Sequence, residues 1–585
     1  MRRAVCFSIL AALGALVQAL PAAAASDTLV SVGSPTTPFP QSWQNTPAVA
    51  VDPAHPSVVA ATAQDAIDTA ACSAWDDPTA CPFARVGFSG VYFSFTGGAS
   101  WIQPTYTGLT RRHCTGPAEC QLSLDNLLDG LEIGPIGTVP NHYQLGMFAT
   151  FEPSVAFGPT PGPDGAFSWD NGSRLYHAHE VQNLDPPFGP GFKGLDAIGV
   201  SRIDGAPALT PDIVADQDNW MNPVIVTHQS DRLVSQQASV WADNAESSPY
   251  FGNVYVCSKP FRAHPGANTA QIILDRSTDG GETWTERDLS QAETRATGGR
   301  DACRIRTDSG GTVYVFWNVA PFENVKTFLT RSFDGGATFE RPRLISTHVR
   351  CGPGEEGADF DGLTGVEAKT SRSVDVANGA PTGSDATDQI VLVWCDGGLG
   401  LNAERAVVIT STDGGDSWSD PVDAAQAGDR PNMPAIAISP DGQDVYLVYE
   451  AFLDPARESL ADPTRMQGVV RHAEASDLAA WITLHRGVVG DARASSGMSD
   501  FFDTENLGEY QGAVATRDAG IMLWTDIRNA ERCPAIEVHR QSLVDGNPNP
   551  TPAPNTECPP SFGNSDIYAA ALADPTPEPL AVRRR

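Results

Sequence analysis

Ser277-Thr278-Asp279-Gly280-Gly281-Glu282-Thr283-Trp284 returns twice in full, as Ser332-Phe333-Asp334-Gly335-Gly336-Ala337-Thr338-Phe339 and as Ser411-Thr412-Asp413-Gly414-Gly415-Asp416-Ser417-Trp418. A worn copy, Ser94-Phe95-Thr96-Gly97-Gly98-Ala99-Ser100-Trp101, lacks only the Asp. An apolar run leads into each full copy: Ile272-Ile273-Leu274, Phe328-Leu329-Thr330 and Val407-Val408-Ile409-Thr410. This is the chemistry of a β-hairpin turn. The Asp carboxylate accepts hydrogen bonds from the turn's N–H groups, glycines take the positive-φ positions, and the aromatic folds beneath as a plug. A recurring hairpin that cannot bury itself implies an array of such units.

Working outward from the octets, apolar or alternating runs of four to eight residues, bounded by Gly, Pro and Asp, read as strands. Residues 47–53 and 57–61 with the worn octet make a first unit. Residues 152–157, 174–180 and 197–202 make a second. Asp218-Asn219-Trp220 opens a third, which closes on the octet at 277. A fourth starts at Arg300-Asp301-Ala302-Cys303, and a fifth holds Ile390-Val391-Leu392-Val393-Trp394. Met433-Pro434 opens a sixth and Gly508-Glu509-Tyr510 a seventh. Residues 114–146 form a long insertion, with a short helix expected at 122–131. Arranged in a circle, seven such units form an all-β β-propeller of four-stranded blades, and ring closure removes the exposed sheet edges of an open array.

The chain has 585 residues, 41% of them hydrophobic, and a net charge of −33. That charge argues against nucleic acid and against an anionic membrane surface. Arg2 and Arg3, an apolar run over 4–20 and Pro21-Ala22-Ala23-Ala24-Ala25 read as a signal peptide over 1–25. No later stretch is long and apolar enough for a membrane span. The expected organisation continues with a lead-in over 26–45, the propeller over 46–545, and a Pro-rich C-terminal segment and disordered tail over 546–585. A secreted protein is expected, extracellular or periplasmic, and monomeric. Beyond Cys6, ten cysteines remain, an even number that reads as disulfides. The pairing expected is Cys72–Cys81, Cys114–Cys120, Cys257–Cys303, Cys351–Cys395 and Cys533–Cys558.

The octets resemble the Asp-box, or bacterial neuraminidase repeat, of the sialidase-like β-propellers, whose pattern Ser-x-Asp-x-Gly-x-Thr/Ser-Trp/Phe they match. Sialidases close with six blades, so six is the alternative to the seven units counted. The resemblance implies three arginines gripping a carboxylate, a Tyr nucleophile made basic by a Glu, and a loop Asp as acid/base. On that comparison Tyr510 is the nucleophile and Glu509 its helper. Arg300 and Arg430 are substrate clamps, and Asp65 or Asp68 is the acid. One departure is plain: the Arg-Ile-Pro motif of the first inner strand is replaced by Asn45-Thr46-Pro47. Glu509 and Tyr510 are also chain neighbours, which on a regular strand point to opposite faces. The segment 508–512 with Trp524-Thr525-Asp526-Ile527-Arg528 also resembles a closing-blade pattern of secreted Asp-box proteins. That comparison makes Tyr510, Asp526 and Arg528 a structural closure instead.

Inner-strand starts should converge on one rim of the channel, here Asn45, Glu152, Asp218, Trp220, Arg300, Asp301, Arg430, Asn432, Glu509 and Tyr510. Asp218, Trp220 and Asp301 join the arginines as substrate-binding residues. The expected function is binding of a glycan or an extracellular protein. The alternative is an exo-acting glycoside hydrolase of sialidase type. No cofactor is called for. Asp216-Gln217-Asp218 and Asp359-Phe360-Asp361-Gly362 offer oxygens of the kind Ca²⁺ takes, but neither follows the spaced EF-hand loop. His177 and His179 share a strand face and fit either a metal pair or a surface strand.

Overall fold

The structure is a computed structural model and describes residues 26–32, 43–69, 85–113, 130–227, 233–262, 271–291, 299–320, 324–351, 372–456, 462–495, 507–547, 549–550, 552 and 557–575. Seven antiparallel blade sheets succeed one another along the chain, and a separate two-stranded hairpin, Tyr106–Thr110 with Glu132–Ile136, spans the insertion after blade one. Their innermost strands are Gln44–Val51, Ser154–Pro161, Leu233–Ala242, Gly299–Thr307, Arg372–Val376, Arg430–Ile438 and Gly512–Ala515. Each touches the next, and the seventh touches the first, so the ring is closed. The molecule is a seven-bladed β-propeller, which decides between the counts of seven and six. Blade one reaches its fourth position through a single bridge, Phe93 to Ile102.

Strand position explains strand composition. The second strand of a blade has a neighbouring blade on each face, so it must be apolar on both sides. Ile390–Asp396 and Asp444–Phe452 are accordingly buried throughout. The outermost strand faces water, and Thr285–Asp288 is exposed at every residue.

Each octet is the hairpin between a blade's third and outermost strands. In the second full copy, Asp334 Oδ1 accepts from the Thr338 N–H (2.7 Å) and Oδ2 from the Thr338 hydroxyl (2.6 Å), while Ser332 Oγ accepts from the Gly336 N–H (2.8 Å). Gly335 and Gly336 have φ of 65° and 82°. In the worn copy Thr96 Oγ1 replaces the carboxylate, accepting from the Ser100 N–H at 3.0 Å. The turns also fasten blade to blade. An arginine of the preceding blade donates to the carbonyl of the octet's first glycine: Arg174 to Gly280 (2.7 Å), Arg276 to Gly335 (3.1 Å) and Arg331 to Gly414 (2.7 Å).

The ring is sealed by both ends of the propeller segment. Blade seven consists of Gly512–Ala515, Ala519–Asp526, Asp566–Ala573 and, outermost, Thr28–Leu29 from the beginning of the chain. The propeller therefore extends past the expected limits of 46 and 545, because its last sheet needs an edge from each terminus. Asp526 and Arg528 pair at 2.6 Å, and Arg528 also grips Asp27 at 2.6 Å and lies 3.7 Å from the Tyr568 ring centre. The closing role expected of Asp526 and Arg528 is thus visible as an ion-pair clamp on the incoming strand.

One other expectation changes. Trp220–Ile225 is the outer strand of blade two, not the start of blade three, whose inner strand is Leu233–Ala242. Disulfides join Cys257 to Cys303, Cys351 to Cys395 and Cys533 to Cys558, as expected. Cys72, Cys81, Cys114, Cys120, the signal segment 1–25, residues 122–129 of the helix expected at 122–131 and Asp359–Asp361 lie outside the described residues, while Gly130 and Leu131 are not helical. Among the described residues no helix is long and apolar enough to cross a membrane.

Candidate functional site

The inner strands share a local irregularity at the channel mouth. Thr46, Gln237, Ala302 and Met433 have φ between 46° and 58°. The ladder slips beside each of them, between Asn45/Ala48, Gln236/Ser239, Asp301/Arg304 and Asn432/Ala435. Glu152, at φ 50°, stands just ahead of its strand. A residue held in the left-handed region makes a bulge, which breaks strict alternation and re-aims neighbouring side chains. Blade after blade, the bulge turns polar side chains toward the mouth.

Blade seven uses the same freedom differently. Gly508 has φ 100°, and regular pairing starts only at Gly512. Glu509 and Tyr510 therefore precede the strand, and alternation does not separate them. Both meet the Glu152-Pro153 step of blade two. The Tyr510 hydroxyl donates to the Pro153 carbonyl at 3.1 Å, and the Glu509 carboxyl lies beside that of Glu152. Two neighbouring carboxyls escape mutual repulsion only if one carries a proton. Glu152 also meets Glu180, and Glu180 accepts from the Gln237 N–H at 3.1 Å.

Burial sets the charge of this cluster. It pushes Glu152 and Glu180 up to about 8 and Asp196 to about 7, and it holds Glu509 well above the carboxylate range, with the Glu152 charge adding to it. Burial and the same charge hold the Tyr510 phenol well above its ordinary value, so it is a neutral donor. Asp301 behaves oppositely. Burial raises it, but Lys259 at 3.1 Å prevails and lowers it, keeping a carboxylate.

Arg304 completes the mouth. Its guanidinium lies 4.9 Å from the Tyr510 ring centre and donates to the Cys303 carbonyl at 2.9 Å. Among the described residues no carboxylate lies within ion-pair reach of it. Two residues deeper, Arg306 pairs with Asp375 at 2.8 Å and stacks on Trp241. Ser154, Trp241, Arg304, Arg306, Asp375 and Tyr510 are among the walls of a central cavity of about 150 Å³. A cation over an aromatic face, beside neutral acids that donate hydrogen bonds, suits a polar ligand carrying negative charge.

The residues singled out from sequence divide. Glu509, Tyr510 and Asp301 meet at the mouth with Glu152. Arg430 is held by Glu404 in a two-pronged pair at 3.0 Å. Arg300 lies on the same strand as Arg304, 9% exposed. Asp218 and Trp220 sit at blade two's outer strand, where the Trp220 indole donates to the Tyr106 hydroxyl at 2.9 Å; a strand start on the rim side was not an inner-strand start. Asp65 accepts from Gln44, Ile67, Tyr92 and Gln103, so both its oxygens are satisfied. Asp68, pushed up to about 6 by burial against Arg112, is bound by Arg112, Gly137 and Thr138. Arg304 went unremarked in sequence, although Arg304-Ile305-Arg306 is an alternating basic pair on one strand face.

His177 and His179 do not form a surface strand. Both are fully buried. Short contacts run from the Pro140 carbonyl through His142, His179, His177 and Thr62 to the Gly90 carbonyl, with the imidazole-to-imidazole contacts at 2.8 and 3.0 Å; with all three rings neutral, four protons serve these five contacts, so one of them is not a hydrogen bond. Both nitrogens of His179 are spent on other rings. Burial pushes His142 and His177 down to about 4.

Opposite pH limbs follow. A histidine held neutral contributes stability that is complete above 6.5 and lost as pH falls through about 4. Glu152 and Glu180, held protonated, contribute stability that is complete below 4.5 and lost as pH rises through about 8. Thermal denaturation across this range should therefore show a maximum between the limbs, and Glu152→Gln should flatten the alkaline limb alone. An alkaline limb of unchanged slope in that variant would contradict the assignment.

The class these features define is a seven-bladed propeller with a polar, partly cationic channel mouth. Comparison with known proteins adds likeness of fold. No family model matches the chain, and no curated protein matches it. Among solved structures it is similar to a Hadza microbial sialidase at 11% identity and TM-score 0.37, over 70% of this chain and 63% of that one. It is similar to a Dyadobacter fermentans protein of unknown function at 14% and 0.36, over 74% of this chain and 97% of that one. An alpha-L-arabinofuranosidase of Fusarium graminearum is similar at 14% and 0.29, over 55% and 90%. The chain thus spans less than two thirds of the sialidase. At these values the likeness assigns no activity.

Proposed function

We propose that the channel mouth binds a glycan bearing an anionic group, with Arg304 as the anion clamp and Tyr510 as the sugar platform. The observation that carries this is Arg304: a guanidinium at the cavity wall, fixed over an aromatic ring, with no carboxylate partner among the described residues. Such a group normally finds a counter-charge, and a ligand supplies one. Asp301 and the protonated Glu152–Glu509 pair offer an acceptor and donors to sugar hydroxyls. The protein acts after export, as the signal segment and the disulfides support. A glycan array with the purified chain tests the reading: retention of acidic glycans supports it, and no retained glycan contradicts it.

One observation favours a second reading, exo-acting glycoside hydrolysis of sialidase type. A carboxyl kept protonated near neutrality is what a general acid requires, and Glu152 is pushed up to about 8. Tyr510 would be the nucleophile and Glu509 its helper. The phenol is neutral, and Glu509 can take its proton only after losing its own, because burial holds the Glu509 carboxyl protonated near neutrality. Fluorogenic sialosides and other glycosides test this. Turnover abolished by Tyr510→Phe is the expected result for the enzyme, and turnover unchanged in that variant removes the role.

A further inference from the structure

The second and third strands of blade six gather a group of metal-ligating side chains away from the inner-strand mouth. In their register Asp444 faces Glu474 and Tyr446 faces His472. Side chains two apart share a face, so these four form one patch. Two carboxylates directly opposite on neighbouring strands repel each other. Water reaches only the half-buried Glu474: Asp444 is 4% and His472 2% exposed. His472 Nε2 lies 2.7 Å from Asp444 Oδ1, and one ligand atom from each of Asp444, His472 and Glu474 falls within 4.8 Å of the others.

A second observation points to a missing partner. The Tyr446 side chain is fully buried, and its hydroxyl makes no hydrogen bond. The charges acting on it are Asp444 and Glu474 from its own sheet and Asp518 and Asp574 from blade seven. Gly520 of blade seven lets that sheet lie on the Tyr446 ring; a Cβ there would come within 2.4 Å of it. Arg517, the cation of the blade-seven turn, is gripped by Asp385 at 2.8 Å through two bonds. The patch thus gathers acids between the sixth and the closing blade.

We propose that Asp444, His472 and Glu474 bind a first-row divalent cation, best matched by Zn²⁺, at the junction of blades six and seven. One imidazole nitrogen with two carboxylate oxygens is a donor set for Zn²⁺ or Mn²⁺, whereas Ca²⁺ prefers oxygen alone. The ion replaces repulsion between Asp444 and Glu474 by attraction to a common centre. A water on the ion gives the Tyr446 hydroxyl its partner. The role is structural, holding the sixth blade against the one that seals the ring, and it is independent of the channel mouth.

The test uses the full chain stripped by a chelator and titrated with ZnCl₂ by calorimetry, with thermal unfolding in parallel. One equivalent should bind, and the melting temperature should rise with metal. His472→Gln and Asp444→Asn should each weaken binding by about 100-fold or more and abolish the rise. Co²⁺ titrated into the unmodified chain should give the strong visible absorption of a tetrahedral site, a readout that needs no variant to fold. Absence of that absorption together with no Zn²⁺ binding would overturn the proposal. So would Zn²⁺ binding undiminished in His472→Gln, or binding of Ca²⁺ alone.

Discussion

Replacing Trp524 with alanine is expected to destabilise the protein by about 3–5 kcal/mol, the range for deleting a large buried aromatic. Trp524 is fully buried in the core shared by blades six and seven. It fills space that Gly468 leaves open, since a Cβ there would stand 2.5 Å from the indole. Its loss also removes a support of the closure. The indole donates to Asp526 Oδ2 at 3.0 Å, Asp526 pairs with Arg528, and Arg528 holds Asp27 beside the strand from the other end of the chain. Denaturant unfolding should show the drop in midpoint. Phe333→Ala, at an octet side chain 62% exposed, should stay within about 0.5 kcal/mol. Equal effects at the two sites would mean that ring closure does not carry the stability.

Arg304→Ala is expected to weaken binding of an acidic glycan by about 100-fold, or ~2.7 kcal/mol, while leaving the fold intact. The separation of binding from folding follows from its surroundings. Removing Arg304 strands no buried counter-charge among the described residues, and it relieves a guanidinium whose own burial lowers its proton affinity. The same change at Arg430 would strand Glu404, whose side chain is 1% exposed, and would damage the fold first. Isothermal titration and a melting curve on the same preparation separate the cases. Lost affinity with an unchanged melt is expected; lost affinity only in proportion to unfolding would reduce Arg304 to a structural residue.

The octets made the propeller legible because a turn is local: Asp334, Gly335, Gly336 and Phe339 need no distant residue to declare a hairpin. Blade boundaries were readable wherever an apolar second strand such as 390–394 marked the middle of a sheet. They failed at Trp220, where an outer strand carries an inner strand's composition because the insertion hairpin around Tyr106 covers it. The make-up of the closing sheet was not legible, since nothing in Thr28–Leu29 announces a partner more than five hundred residues away. The mouth was half legible. Glu152, Asp301, Glu509 and Tyr510 stand near predicted strand starts, so their convergence follows from the ring. Which arginine faces the cavity was not legible, because bulges at Ala302 and Met433 decide it and a positive φ at a non-glycine leaves no compositional mark. The approach of Glu509 to Glu152 depends on Gly508 delaying the strand, a tertiary outcome as well.

The proposed ligand site is the channel mouth over Arg304 and Tyr510. A crystal structure of the protein with a retained acidic glycan tests it most directly. The anionic group is expected on the Arg304 guanidinium and a sugar ring against Tyr510, within reach of Glu152 and Glu509. A glycan bound at the opposite end of the channel, or along the octets on the outer edge with Arg304 untouched, would contradict it.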